Sequence, residues 1–111
     1  MEAMRLARLA LLSLLLVACS QRRGARVAGE DDAEIATQEA RLEELRAQGA
    51  SPTATCADRC ALTGQTCGVA ESLCEVVARH PQRPELATRC VRAREACASG
   101  TDTCARCQAR E

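Results

Sequence analysis

The sequence predicts an all-α fold: an antiparallel helical hairpin stapled by disulfides, preceded by a short N-terminal helix. Three observations carry that prediction. Cysteine recurs at every seventh residue in two runs, Cys60-Cys67-Cys74 and Cys90-Cys97-Cys104. The positions of cysteines in the two runs pair about a single midpoint. A proline-containing turn, Arg79-His80-Pro81-Gln82-Arg83-Pro84, falls at that midpoint.

Composition explains why such a chain needs cross-links. It has 111 residues and no Phe, Tyr or Trp, so no large aromatic can anchor a core. A domain this small buries too little apolar surface to hold itself together unaided. Nine cysteines in that length point to a cross-linked scaffold. Lys and Asn are absent, and the Arg-only, Ala-rich usage fits a GC-rich genome. Fifteen basic residues balance fifteen acidic ones, which leaves no electrostatic footprint for nucleic acid.

Residues 1–18 read as a signal segment. Arg5 and Arg8 supply a positive start, and Leu9 to Ala18 is an apolar run broken only by Ser13. That run is shorter than the roughly 20 residues that span a bilayer as a helix. It closes with Leu16-Val17-Ala18-Cys19, which resembles the lipobox of bacterial lipoproteins. The resemblance implies acylation of Cys19 on sulfur, cleavage before it, and acylation of the new amine. Several acyl chains on one residue anchor stably, where a single chain binds only marginally. Setting Cys19 aside leaves eight cysteines, an even number suited to disulfides in an oxidising compartment. Residue 20 is Ser rather than Asp, so the sorting pattern implies the outer membrane.

Residues 19–32 read as a flexible tether, polar and with two glycines. Arg22, Arg23 and Arg26 lie close enough to the anchor to meet anionic headgroups, although a plain solvated linker explains them equally well. Residues 33–48 read as a short amphipathic helix. Ile35, Gln38, Leu42 and Leu45 take a and d spacing, Glu43 can pair with Arg46, and Gly49 has the identity of a C-cap. Two heptads are short for a coiled coil. The helix is either a weak oligomerisation stem or, on the simpler reading, a solvated helix resting on the domain behind it.

Residues 51–111 hold the hairpin, with its turn at 80–84. Eight cysteines allow 105 pairings. Here Cys74 with Cys90, Cys67 with Cys97, and Cys60 with Cys104 each sum to 164, and Cys56 with Cys107 sums to 163. A constant sum marks two antiparallel segments folded about Gln82. The prolines agree independently. The residue before each is pushed out of the α region, so a helix ends near Arg79 and Pro84 can open the next. Residues seven apart lie on one side of a helix, about 10.5 Å apart along its axis. With the repeating cysteines at a, the facing d pairs are Val77 with Leu86, Ala70 with Ala93, Thr63 with Gly100, and Cys56 with Cys107. The small d residues let the backbones approach as disulfides require, while Val77 and Leu86 sit at the turn end.

Two details stay open in the sequence. Ser51-Pro52 has the form of an N-cap with Pro at N1, and Thr55 is a competing cap. The run Ser99-Gly100-Thr101-Asp102 is where the second helix is open to a kink or break, which would disturb the rungs 60–104 and 56–107.

The pattern Cys-x3-Cys-x6-Cys-x6-Cys, a Pro-containing turn, then Cys-x6-Cys-x6-Cys-x2-Cys is similar to that of small cysteine-rich predicted lipoproteins of GC-rich Gram-negative bacteria. The stretch Arg89 to Cys97, RCVRAREAC, is in their style. The architecture also resembles disulfide-stapled α-hairpin families, which span import factors, inhibitors and antimicrobial peptides. The resemblance therefore implies a scaffold rather than one activity.

The chemistry is sparse. Cys56, Cys60, Cys104 and Cys107 could form a four-thiolate metal site or a thiol-redox centre if reduced. Gln108 after Cys107 rules out the Cys-x-x-Cys-His haem attachment motif. His80, the one histidine, lies in the turn, and Asp58, Glu71 and Glu75 are spread along a helix. No phosphate loop or nucleophile motif is present, so neither enzymatic activity nor a cofactor is expected. The expectation is a cell-envelope protein held to the membrane through Cys19, its rigid hairpin a structural or protein-interaction module. The alternative is a periplasmic metal or thiol-redox protein using the four terminal cysteines. An inhibitor displayed on the turn RHPQRP is a variant of the first reading.

Overall fold

The computed structural model describes residues 29–111, and residues 33–111 form one compact unit within which all the packing below lies. The signal segment 1–18, Cys19 and tether residues 20–28 lie outside the described residues. Among the described residues there are three helices and no strand: α1 at 29–49, α2 at Cys56–Ala78 and α3 at Pro84–Ala109. Helices α2 and α3 form the antiparallel hairpin, joined by residues 79–83. None of the helices is long and apolar enough to cross a membrane.

Two local expectations are corrected and one open detail is resolved. The last four residues of the expected tether, 29–32, are helical. At the other end of α1, Gly49 closes the helix without the left-handed backbone of a glycine C-cap, since no described residue has positive φ. Helix α3 runs unbroken through Ser99–Asp102. The threonine hydroxyls there turn back on their own helix: Thr101 donates to the Cys97 carbonyl at 2.9 Å and Thr103 to the Ser99 carbonyl at 3.0 Å. Bonded cysteines at 97 and 104 hold the helix on both sides of the glycine.

The start of α2 falls to Thr55 rather than to Ser51-Pro52. The Asp58 N–H donates to Thr55 Oγ1 at 3.1 Å, and the Thr55 N–H donates back to the Asp58 carboxylate at 3.0 Å, a capping box. Helix α2 ends at Ala78 with Arg79 as cap, and Pro84 takes the first turn of α3, where its missing N–H is harmless.

Four disulfides join α2 to α3: Cys56–Cys107, Cys60–Cys104, Cys67–Cys97 and Cys74–Cys90. Each joins residues that the constant sum pairs. The bonded Cα atoms lie 4.6–5.7 Å apart, within the span a disulfide can bridge. The separations are 16, 30, 44 and 51 residues, so successive rungs enlarge the closed loop by 14, 14 and then 7 residues. On chain-entropy grounds a loop of about 15 residues is worth about 3 kcal/mol, so a nested rung contributes according to the residues it adds, not its full separation.

Sulfur does not replace the apolar core entirely. Ile35, Leu73, Val76 and Leu86 are all but fully buried and cluster with Ala70, Val77, Cys90 and Ala93 at the turn half of the hairpin. Ile35 comes from α1, which therefore packs on the hairpin. Two polar contacts fix its direction: Arg89 on α3 grips Glu39, and Arg41 donates to Gln65 on α2 at 3.2 Å. Helix α1 thus runs from the turn end, at Ile35, towards the open end, where Gly49 approaches Leu62.

Between the rungs, Gly100 lies tight against the Thr63 side chain. A Cβ there would lie 2.9 Å from Thr63 Oγ1 and 3.3 Å from its Cγ2. The Thr63 hydroxyl is held by the Arg59 carbonyl at 2.9 Å, and rungs above and below keep the helices from parting. Gly100→Ala should gain about 1 kcal/mol in helix propensity and lose about 1–3 kcal/mol to overpacking. We expect a lowered thermal midpoint for Gly100→Ala alone, and a raised one when it is added to Thr63→Ala. Calorimetry of the four proteins of that cycle measures the coupling, and additive effects would contradict the close approach.

Candidate functional site

Two features of residues 33–111 have the geometry of a site. The first is the open end of the ladder. Cys56 opens α2 directly after its cap, and Cys107 lies in the last turn of α3. The sulfurs of Cys56, Cys60 and Cys107 lie within 4.8 Å of one another, and Cys104 is bonded to Cys60. All four cysteines of the metal or redox alternative are therefore together, in two bonded pairs. While both bonds stand no thiolate is available, so the cluster can bind a soft metal or exchange disulfides only after reduction.

The second feature is a trough of about 750 Å³ along one side of the hairpin, between α1, α2 and α3. Its apolar surface comes from Leu42 and Leu45 of α1, Leu62 of α2, and Ala93 and Ala96 of α3. Leu45 and Ala93 are buried, while Leu42, Leu62 and Ala96 are half-buried. Four arginines also line it. Arg46 pairs with Glu43 at 3.1 Å and Arg89 with Glu39. Arg59 and Arg92 have no acidic partner among the described residues.

The trough follows from a second apolar stripe on α2. Leu62, Thr66, Val69, Leu73 and Val76 alternate at spacings of four and three, on a different side from the cysteines. A stripe of that spacing faces a partner helix. Helix α1 covers its turn end, and the Leu62 end faces the trough. Reading only the cysteine face leaves this stripe unnoticed, although its spacing is visible in the sequence.

The remaining candidate residues are dispersed. His80 is half-buried in the turn, where its backbone N–H donates to the Val77 carbonyl at 2.9 Å and its own carbonyl accepts from the Arg83 N–H at 3.1 Å. Glu71 and Glu75 are exposed on α2, beside a shallower groove also lined by Cys67, Cys74 and Cys97. Asp58 belongs to the cap. Cys19 lies outside the described residues. No known protein family matches the chain, and no match is found among curated proteins or solved structures.

One titratable group at the open end is perturbed. The Thr55 backbone N–H, with the Thr55 hydroxyl second, holds the Asp58 carboxyl below its ordinary value. A depressed carboxylate stabilises the fold above its unfolded value of about 4 and loses that contribution as pH falls through the folded value. We expect protection of the Thr55 amide to decline below pH 4 in the native protein. In Asp58→Ala it should be low throughout and insensitive to pH. Thr55→Ala should expose the Asp58 amide and cost about 1 kcal/mol. Amide exchange resolved by residue reads each of these.

Proposed function

We propose that this chain is a lipid-anchored cell-envelope protein whose stapled hairpin is a rigid structural or protein-interaction module. The observation that carries this reading is the pairing of all eight cysteines from Cys56 onward, which leaves Cys19 the odd member of nine. A ladder of disulfides fits an exported protein, because such bonds persist in oxidising compartments. The lipobox-like Leu16-Val17-Ala18-Cys19 supplies the address, and Ser20 favours the outer membrane. A rigid module suits binding, since little conformational freedom remains to be lost on association.

A second reading has one specific observation in its favour. The sulfur cluster of Cys56, Cys60 and Cys107, with Cys104 beside it, would present four thiolates once both outer rungs are reduced. On this reading the chain is a periplasmic metal or thiol-redox protein, and the outer rungs are open in the cell.

Intact mass of the native protein separates the two. After alkylation without reduction, we expect eight protected cysteines and the mass of an acylated Cys19. Four modified thiols, at 56, 60, 104 and 107, would favour the second reading. Cys19→Ala should abolish incorporation of labelled palmitate and release the protein from the membrane fraction. Retention of either would overturn the anchor.

A further inference from the structure

We propose that the trough between α1 and the hairpin is a receptor groove for an acidic amphipathic helix of a protein partner. This rests on the interaction-module reading and names the class of partner it serves.

The groove has the length of a short helix. Its α3 wall runs from Arg89 to Thr103, which at about 1.5 Å per residue is about 21 Å, or four helical turns. Along that wall Ala96, Ser99 and Thr103 recur at helical spacing and offer little bulk, while Ala93 is buried and Gly100 abuts Thr63 in the seam. Helices pack at about 8–10 Å between axes, and small residues at the contact favour the closer end of that range. The opposite wall carries half-buried Leu42 and Leu62, large enough to fit between the side chains of an incoming apolar stripe, with Leu45 buried beneath. Three helices with an open fourth position match the mode in which an amphipathic helix lies in a hydrophobic groove.

Charge selects among amphipathic helices. Both carboxylates lining the groove, Glu39 and Glu43, are already engaged by Arg89 and Arg46. The surplus is the two guanidiniums of Arg59 and Arg92, one half-buried and one exposed. An arginine can lay its stem along apolar surface and present its head to a carboxylate in a bidentate pair. A partner with Glu or Asp flanking its leucine stripe meets that surplus, and one with Lys is repelled.

Other occupants fit less well. The chain's own tether brings Arg22, Arg23 and Arg26, the wrong sign. A single-chain anionic lipid would match the arginines, but small-molecule pockets enclose about 70–90% of their ligand. This groove has Glu43, Arg46, Arg92, Ser99 and Thr103 exposed along its edges. A helix that keeps its polar face in water matches a trough of that form.

The test uses the full chain with its disulfides intact and two peptides of about 16 residues. Both carry the same leucine stripe and one Trp; one has Glu at the flanking positions and its twin has Lys. The chain contains no Trp, so the peptide's fluorescence reports binding alone. We expect the Glu peptide to bind at least tenfold more tightly than its twin and to weaken as salt is raised. Arg59→Glu with Arg92→Glu should reverse the preference. Ala96→Phe should block both peptides, with circular dichroism and intact mass checking that the stapled fold survives; the charge-reversal pair decides the matter if it does not.

Equal affinity for the twins, no saturable binding, or no effect of charge reversal overturns the inference. So does displacement of the Glu peptide by lysophosphatidylglycerol at lower concentration, which assigns the groove to lipid. Self-association that excludes the peptide assigns it to a second copy. Failure of peptide binding with acylation and protected thiols intact removes the groove inference and leaves the envelope-module reading standing. Loss of acylation or free thiols removes that reading whatever the peptides do.

Discussion

Cysteine takes most of the positions where α2 and α3 meet, and the rest of this structure follows from that constraint. Bonded Cα atoms sit at 4.6–5.7 Å, which, with each Cα about 2.3 Å from its own axis, corresponds to an ordinary helix spacing of about 9–10 Å. Between the rungs the facing positions are Ala70 with Ala93 and Thr63 with Gly100. Away from the turn the seam supplies no large apolar side chain, and Val77 and Leu86 do so only at the turn end. The remaining large apolar side chains sit elsewhere.

They sit under α1. Leu73 and Val76 point away from the cysteine seam, and Ile35 and Leu86 complete the cluster with them at the turn half of the hairpin. The two stabilising devices are thus distributed by position. Near the turn, sulfur and apolar burial act together. Towards the open end, the rungs at 60–104 and 56–107 carry the contact between the helices with little apolar support. Reduction should therefore matter most at the open end, and a local capping device such as the Thr55–Asp58 box has its greatest consequence there.

The hairpin and its stapled character were legible because cysteine makes its partner arithmetic visible. Few residue types pair so exclusively that a constant positional sum can mean only one topology. The turn was legible because proline acts locally, on its own φ and on the residue before it. The continuity of α3 through Gly100 was not, since a Ser-Gly-Thr-Asp run is a helix breaker by propensity alone. What overrides it is tertiary: bonded neighbours at 97 and 104, and threonine hydroxyls satisfied by their own helix. The trough was harder still. Its α2 component is a readable stripe, from Leu62 to Val76, but the opening depends on where α1 ends and which arginines find partners. Those are properties of three helices together and have no signature within any one of them.

The ladder and the trough are connected by more than proximity. An open groove between helices is ordinarily unstable, because the helices can close and bury its apolar walls against each other. Here α2 and α3 cannot rotate or slide to close it, since four rungs fix their register along almost their full length. Of the three helices only α1 is free of covalent cross-links, and it is held by Ile35, Leu42 and Leu45 and by the contacts of Glu39 and Arg41. Beyond Arg41, no hydrogen bond or ion pair among the described residues ties the helix to α3, and the groove lies on that side. Cross-linking lets a small domain keep apolar surface in water that an unstapled domain of this size would collapse upon. On that argument the disulfides do more than compensate for a thin core. They hold a binding surface in its receptive shape before any partner arrives, which removes an ordering cost from association.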